Sequence, residues 1–200
     1  MELNPHDLLE IHSINNLIDY NILPEWAEAS IALTPFVVVR RARPGPGFAA
    51  VGIRGFQRSQ RFAAILPIDC IKRKVTPEDL VKEQKWKKQD KDIFRNLEAI
   101  AQIMNHYSLE WGIAGSVGFE LATGKETTTP SSDIDLVIRY NDQFTSKLAK
   151  KIKKELEKIK VRVDIQVETR YGAFSFFEYA SCEDRPILLR TIDGPMLKKI

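Results

Sequence analysis

The chain has 200 residues, 44% hydrophobic and 28% charged, with a formal net charge of +3, which suits one large globular domain or two small ones and excludes a disordered chain. No apolar run nears the roughly 20 residues that span a bilayer, the opening Met1-Glu-Leu-Asn-Pro5 lacks the basic and apolar regions of a signal peptide, and Cys70 and Cys182 cannot build a disulfide framework. A reduced, cytoplasmic protein is expected, with no membrane partner and, at so weak a bias as +3, no nucleic-acid partner.

The N-terminal third reads as mixed and β-rich, with little long helix. Phe36 to Val39 is a short β-branched run between Pro35 and an arginine pair, the mark of a buried strand. Arg43-Pro-Gly-Pro-Gly47 is a loop by its punctuation, and Phe48 to Ile53 is expected to pair back as a second strand. From Ala29 to Ile68 there is no Asp, Glu or Lys, yet there are six arginines: Arg40, Arg41, Arg43, Arg54, Arg58 and Arg61. A guanidinium donates two parallel hydrogen bonds to an anion, so arginines without local acids suit a phosphate-bearing ligand. A solvated sheet edge is the plainer reading of any one of them.

Thr76-Pro-Glu-Asp79 carries the signals of a helix start, a cap followed by proline and two acids. The stretch from Lys82 to Lys91 is dense in Lys, Gln and Asp around Trp86. It reads as a solvated helix or a hinge and divides the chain into domains 1–80 and 81–200. Ile93, Leu97, Ile100, Ala101 and Met104 then recur at helical spacing, which predicts an amphipathic helix over 90–106. Beyond it strands and helices alternate. Trp111 to Ala114 is a strand ending in Gly115-Ser116, residues 117–123 a short helix closed by Gly124, and Gly124 to Ser132 a polar loop. Asp133 to Arg139 is an apolar strand with two acids, and Leu148, Ile152, Leu156 and Ile159 mark one face of a lysine-rich helix. Val161, Val163, Ile165 and Val167 alternate with polar residues as a half-buried strand, Phe174 and Phe177 suggest a further helix, and Pro186 to Thr191 a last strand before a frayed Lys198-Lys199 end.

The chemistry concentrates in Asp133-Ile-Asp135-Leu-Val-Ile138. Strand residues i and i+2 share a face about 6.6 Å apart, so Asp133 and Asp135 point together while Ile134, Leu136 and Ile138 turn to a core. Two such carboxylates repel unless a cation lies between them, and oxygen-only ligands suit Mg²⁺, with Mn²⁺ as the substitute. Asp164, on the polar side of the next predicted strand, is a third candidate ligand. Three acids on adjacent strands are the two-metal arrangement of phosphoryl and nucleotidyl transfer. Gly115-Ser116 at a strand-to-helix turn offers backbone N–H groups and a hydroxyl to phosphate oxygens.

This order of strand, Gly-Ser, helix and Asp-h-Asp strand, then h-Asp-h on a further strand, is similar to the polymerase-β-like nucleotidyltransferase superfamily. Trp111-Gly-Ile-Ala-Gly-Ser-Val-Gly-Phe119, Leu121-Ala-Thr-Gly124 and Ser132-Asp-Ile-Asp-Leu136 resemble the phosphoribosyl-dephospho-CoA transferase of malonate decarboxylase, its holo-acyl-carrier-protein synthase. The likeness extends to His6-Asp-Leu-Leu9, Phe36-Val-Val-Val-Arg-Arg41, Val51-Gly-Ile-Arg-Gly-Phe-Gln-Arg-Ser-Gln-Arg61, Val163-Asp-Ile-Gln-Val-Glu-Thr169 and Leu188-Leu-Arg-Thr-Ile-Asp-Gly-Pro195. It implies an α/β (α+β) fold, a C-terminal nucleotidyltransferase domain behind a smaller, β-rich N-terminal one. It implies a triphosphoribosyl-dephospho-CoA donor and the apo acyl carrier protein as partner, with pyrophosphate released. Asp133, Asp135 and Asp164 would be metal ligands and catalytic residues. Gly115 and Ser116 would hold phosphates, and Arg40, Arg41, Arg54, Arg58 and Arg61 would face the site and bind the rest of the donor. The aspartates alone leave open another acceptor (an antibiotic, a tRNA end, another protein), and a non-catalytic nucleotide-binding module is the alternative of a different class. His6 and Asp7 read as a local hydrogen-bonded cap, the cysteines as packing residues, and the lysines of 147–160 as a solvated helix face or a surface for an acidic carrier.

Overall fold

The computed structural model describes residues 1–18, 20–57, 59–182 and 185–199, with the backbone alone at Tyr20. The chain forms two compact units, residues 1–76 with 122–127, and residues 77–121 with 128–200. Helices and two separate sheets make it α+β, as expected.

In the first unit β1 (Leu8–Ile11), β2 (Phe36–Val39), β3 (Phe48–Arg54), β4 (Arg61–Pro67) and β5 (Ile71–Val75) form a five-stranded sheet in the order β4-β3-β2-β1-β5. Every pairing is antiparallel. Helix α1 (Glu25–Leu33) belongs to the same unit. Alternation along the strands sends Leu9, Ile11, Val37, Val39, Val51, Ile53 and Leu66 to one face, where they form the core with Leu17, Ala27 and Ile31. The strands at 36–39 and 48–53 stand where the sequence reading put them. The loop at Arg43–Gly47 is also as expected, with Gly47 at φ +81°. Asp7 is fully buried and its Oδ2 accepts the Asn4 N–H at 2.9 Å, a local cap.

The second unit opens with α2 (Pro77–Glu83) and a 3-10 turn (Lys85–Lys88). Its lysines are exposed, as a solvated stretch requires, but Trp86 at its centre is 1% exposed and its Nε1 donates to Glu98 at 2.8 Å. Glu98 lies on α3 (Asp92–His106), which buries Ile93, Phe94, Leu97, Ile100, Ala101 and Met104 as its spacing requires. Next come β6 (Trp111–Ile113), α4 (Gly115–Thr123), β7 (Ile134–Arg139), α5 (Ser146–Leu156), β8 (Val163–Thr169), β9 (Gly172–Ser175), α6 (Phe176–Tyr179), β10 (Ile187–Thr191) and β11 (Gly194–Lys198). The sheet order is β11-β10-β9-β8-β7-β6. Among the described residues only the β7–β8 pair of this sheet is parallel, and α5 makes the crossover that such a pair needs.

Three expectations are corrected. Phe174 and Phe177 do not share a helix. Phe174 is in β9 opposite Val167, and α6 starts only after Ser175, whose hydroxyl caps it. Gly172, at φ +151°, lets β9 close on β10: a Cβ there would lie 2.5 Å from the Arg190 carbonyl oxygen. The helix marked by Leu148 ends at Leu156, short of Ile159. Lys198 is not frayed: it stands opposite Ile187 in β11, with its Nζ 4.6 Å from the Tyr171 ring centre. Both cysteines are free and half-buried. Among the described residues no helix is long and apolar enough to cross a membrane.

Candidate active site

The face of the second sheet opposite its Ile134–Leu136–Ile138 core carries the acids. In the parallel β7–β8 pair Asp135 stands directly opposite Asp164, so both carboxylates leave the sheet on one side at one level. Farther along that face Arg139 donates through Nε to Glu78 of α2 at 2.8 Å, and Pro77 covers Gly112, where a Cβ would fall 2.3 Å from the proline Cβ. Helix α2 therefore closes the far part of the face. Asp133, Asp135 and Asp164 all keep partial exposure. Asp133 lies one residue before the strand, outside the ladder that fixes the other two.

Gly115 brings the turn onto this acidic pair. The Ala114 N–H donates to the Asp135 carbonyl at 2.9 Å, and the chain turns into α4 with Gly115 at φ +62°. A Cβ on Gly115 would lie 1.7 Å from Asp135 Oδ2. Glycine is required twice over, by the left-handed backbone and by the carboxylate against its Cα. The N–H groups of the first helical turn have no partner within the helix, so Gly115 and Ser116 stand at a natural anion-binding end beside Asp135.

Among the described residues, no group of three or more His, Cys, Asp or Glu side chains is gathered closely enough to hold a metal ion. Mg²⁺ is ordinarily held by one or two carboxylates together with substrate phosphates rather than by an all-protein cage. The donor set of Asp135 and Asp164 on one level, with Asp133 two residues away, fits that mode.

The arginines form a separate arrangement in the first unit. Arg54 and Arg61 stand directly opposite each other on β3 and β4. They leave the sheet on the face away from the core, which takes Ile53. Arg40 follows β2, and its stem crosses Gly52 on the same face: a Cβ there would meet Arg40 Cδ at 3.2 Å. Like charges directly opposite in a sheet repel, and a bound anion relieves this. Arg41 lies in the loop after β2, half-exposed. Arg58 falls outside the described residues.

Glu120 escaped the sequence reading. It is 2% exposed on α4, where Oε1 accepts from Lys91 Nζ at 2.6 Å and Oε2 accepts from both the N–H and the hydroxyl of Thr128 at 2.8 Å. Its signal was a lone acid inside the apolar run Val117-Gly-Phe-Glu-Leu-Ala122.

Comparison with known proteins agrees with the likeness seen in the sequence. Residues 79–199 match the family model of the phosphoribosyl-dephospho-CoA transferase MdcG C-terminal domain, and residues 4–77 match that of the N-terminal domain. The chain is similar to a phosphoribosyl-dephospho-CoA transferase of Pseudomonas fluorescens (strain Pf0-1), 37% identical over 82% of this chain and 79% of the relative. It is 36% identical to that of Pseudomonas syringae pv. tomato over 96% of this chain and 90% of the relative. The Pseudomonas aeruginosa relative of the same name is 34% identical, with the same two coverages, 96% and 90%. No solved structure matches the chain. Two domain matches in tandem and relatives aligned over nearly the whole length carry one conclusion: the chain belongs to the phosphoribosyl-dephospho-CoA transferase family and is a transferase.

Proposed function

We propose that this transferase moves a 2′-(5″-phosphoribosyl)-3′-dephospho-CoA group from its triphosphoribosyl donor to a serine of the apo acyl carrier protein of malonate decarboxylase, in the cytoplasm. The observation that carries the reading is the level pair Asp135 and Asp164 with Gly115 packed on the Asp135 carboxylate at the start of α4. It puts acids beside an anion-binding helix end, as transfer of a phosphate-borne group requires.

The serine oxygen forms a bond to the donor's α-phosphorus, the bond from that phosphorus to the bridging oxygen breaks, and pyrophosphate leaves with the electron pair. Asp164 takes the serine proton. Gly115 and Ser116 hold the phosphates that depart. Mg²⁺, or Mn²⁺ in its place, would be held by Asp133, Asp135 and Asp164 and would supply Lewis-acid neutralisation of the phosphate charge. Arg40, Arg41, Arg54, Arg58 and Arg61 are assigned to phosphate binding, with Arg54 and Arg61 first because the sheet register opposes them.

The test is transfer to the purified carrier protein with donor and Mg²⁺, read as the mass gain of the carrier. Asp133→Asn and Asp135→Asn are expected to fold normally and to give no modified carrier. Transfer retained in either variant would overturn the assignment of the aspartates.

A further inference from the structure

We infer that Glu120 is a positioning residue that sets Asp133 from behind, through Thr128 and the turn that follows it; this rests on the proposed role of Asp133. Asp135 and Asp164 are fixed by their own strands, whereas Asp133 precedes β7 and ends the stretch 128–133, which forms no helix or strand. In the second unit that segment is pinned at one end by Glu120. Its Oε2 takes both the backbone N–H and the hydroxyl of Thr128, each at 2.8 Å. Just beyond, the Thr129 N–H donates to the Ser132 hydroxyl at 2.9 Å and the Ser132 N–H to the Thr129 carbonyl at 3.0 Å, a closed turn that ends against Asp133. The Ile134 N–H, donated to the Arg162 carbonyl at 2.9 Å, then enters the sheet.

The anchor is built to stay. Glu120 is buried on α4, the helix that begins at Gly115, and its second oxygen accepts from Lys91 at 2.6 Å just before α3. A buried carboxylate answered by a lysine and two donors on one threonine is a fully engaged polar network, and such networks specify one arrangement. One helix thus carries the phosphate-binding turn at its start and, little more than a turn later, the group that holds the approach to Asp133. Glu120 thereby ties the approach to Asp133 to the same helix that carries Gly115-Ser116. Groups bonded directly to a metal ligand tune affinity or activity by about 10–100-fold, and a group acting through one turn is expected at the lower end of that range.

Thr128→Val removes the hydroxyl donor and keeps the branched shape, and Thr128→Ser keeps the hydroxyl. Each is compared with the unaltered protein in three measurements: kcat and KM for transfer, Mn²⁺ binding by calorimetry, and melting temperature. Thr128→Val is expected to lower kcat and Mn²⁺ affinity by about tenfold or more. KM for the carrier should change by less than about twofold and the melting temperature by less than about 4 °C. Thr128→Ser should recover most of both losses. Unchanged kcat and Mn²⁺ affinity in Thr128→Val would overturn the inference. So would losses that follow the melting temperature and are shared by Thr128→Ser. Run beside them, Asp133→Asn separates the two levels: if it retains transfer the proposed site itself fails, and if it is inactive while Thr128→Val behaves as unaltered, only the role of Glu120 fails.

Discussion

The two sheets present opposite charges by opposite means. In the first unit the cations are long side chains on an antiparallel face, Arg54 opposite Arg61 with the Arg40 stem lying across Gly52. Arginine carries its charge on a long stem, so each contributes through charge more than through fixed position. In the second unit the acids are short. Asp135 and Asp164 are held level by a parallel ladder, and Asp135 is wedged against the Cα of Gly115. The contrast teaches where the molecule tolerates change. A flexible array loses function gradually, one charge at a time, while a wedged pair fails at once when a single atom is added.

Gly115→Ala is the sharpest way to probe the wedge. The new methyl would sit 1.7 Å from Asp135 Oδ2 on a backbone at φ +62°. Either the carboxylate or the start of α4 has to move, and a displacement of about 1 Å lowers kcat by about 100-fold. A stopped or rapid-quench transfer assay measures this, and a kcat within a factor of about three of the unaltered enzyme would mean the contact does not govern the chemistry.

Arg54→Gln and Arg61→Gln test the flexible side. Each is expected to weaken tripolyphosphate binding by about 1.5 kcal/mol, roughly tenfold, with the difference shrinking as salt screens the remaining charges. The pair should not be additive, because removing one arginine also relieves the repulsion felt by the other. Additive losses, independent of salt, would place the two side chains on separate ligands.

The smallest effect concerns a charge on neither site. Glu10 accepts from Lys72 Nζ at 2.6 Å and Arg73 Nε at 3.0 Å, and the Lys72 hydrogen bond, with Arg73 adding to it, holds its carboxyl below the ordinary glutamate range. A lowered carboxyl contributes stability that is present in full above the unfolded value, about pH 4.3, and is lost as pH falls through the lowered one. Both cations are about half exposed, 53% and 51%, so screening limits Glu10→Gln to a loss of about 0.5 kcal/mol at pH 7. Denaturant melts should show that loss at pH 7 and a progressively smaller one as the pH is lowered below about 4.3.

Much of the second unit was readable because its signals are periodic. Ile93, Leu97, Ile100 and Met104 mark a helix without any knowledge of neighbours, and alternation in 163–167 marks a strand. The sharing of one face by Asp135 and Asp164 followed from alternation plus adjacency. What alternation could not supply was where each strand begins: Asp133 falls just outside β7, because the ladder starts with Ile134 donating to Arg162. Phe174 was misread because an i, i+3 aromatic pair also fits a strand that runs into a helix. The burial of Trp86 was not legible, because charged neighbours dominate the local composition while its Nε1 reaches Glu98 of the following helix, a tertiary fact. The charge balance of +3 conceals all of this, being the sum of a segment with arginines and no acids and a segment whose acids stand in pairs.

The outer strands of the two sheets have a consequence for how copies of this protein meet. An open sheet offers unpaired backbone groups at its margins, and a flat, apolar margin recruits another chain. Here β5 carries Lys72-Arg73-Lys74, so a second β5 laid beside it would bring like charges together. On the other side of the same sheet β4 begins with Arg61 and ends in Pro67, which cannot donate. In the second sheet β6 is only three residues long, too short to template much. The remaining margin, β11, has exposed Met196 and Leu197 but sets Pro195 and Lys198 on either side of them. Each margin carries its own deterrent to strand-to-strand assembly: like charges on β5, a proline on β4, shortness on β6, and Pro195 with Lys198 on β11.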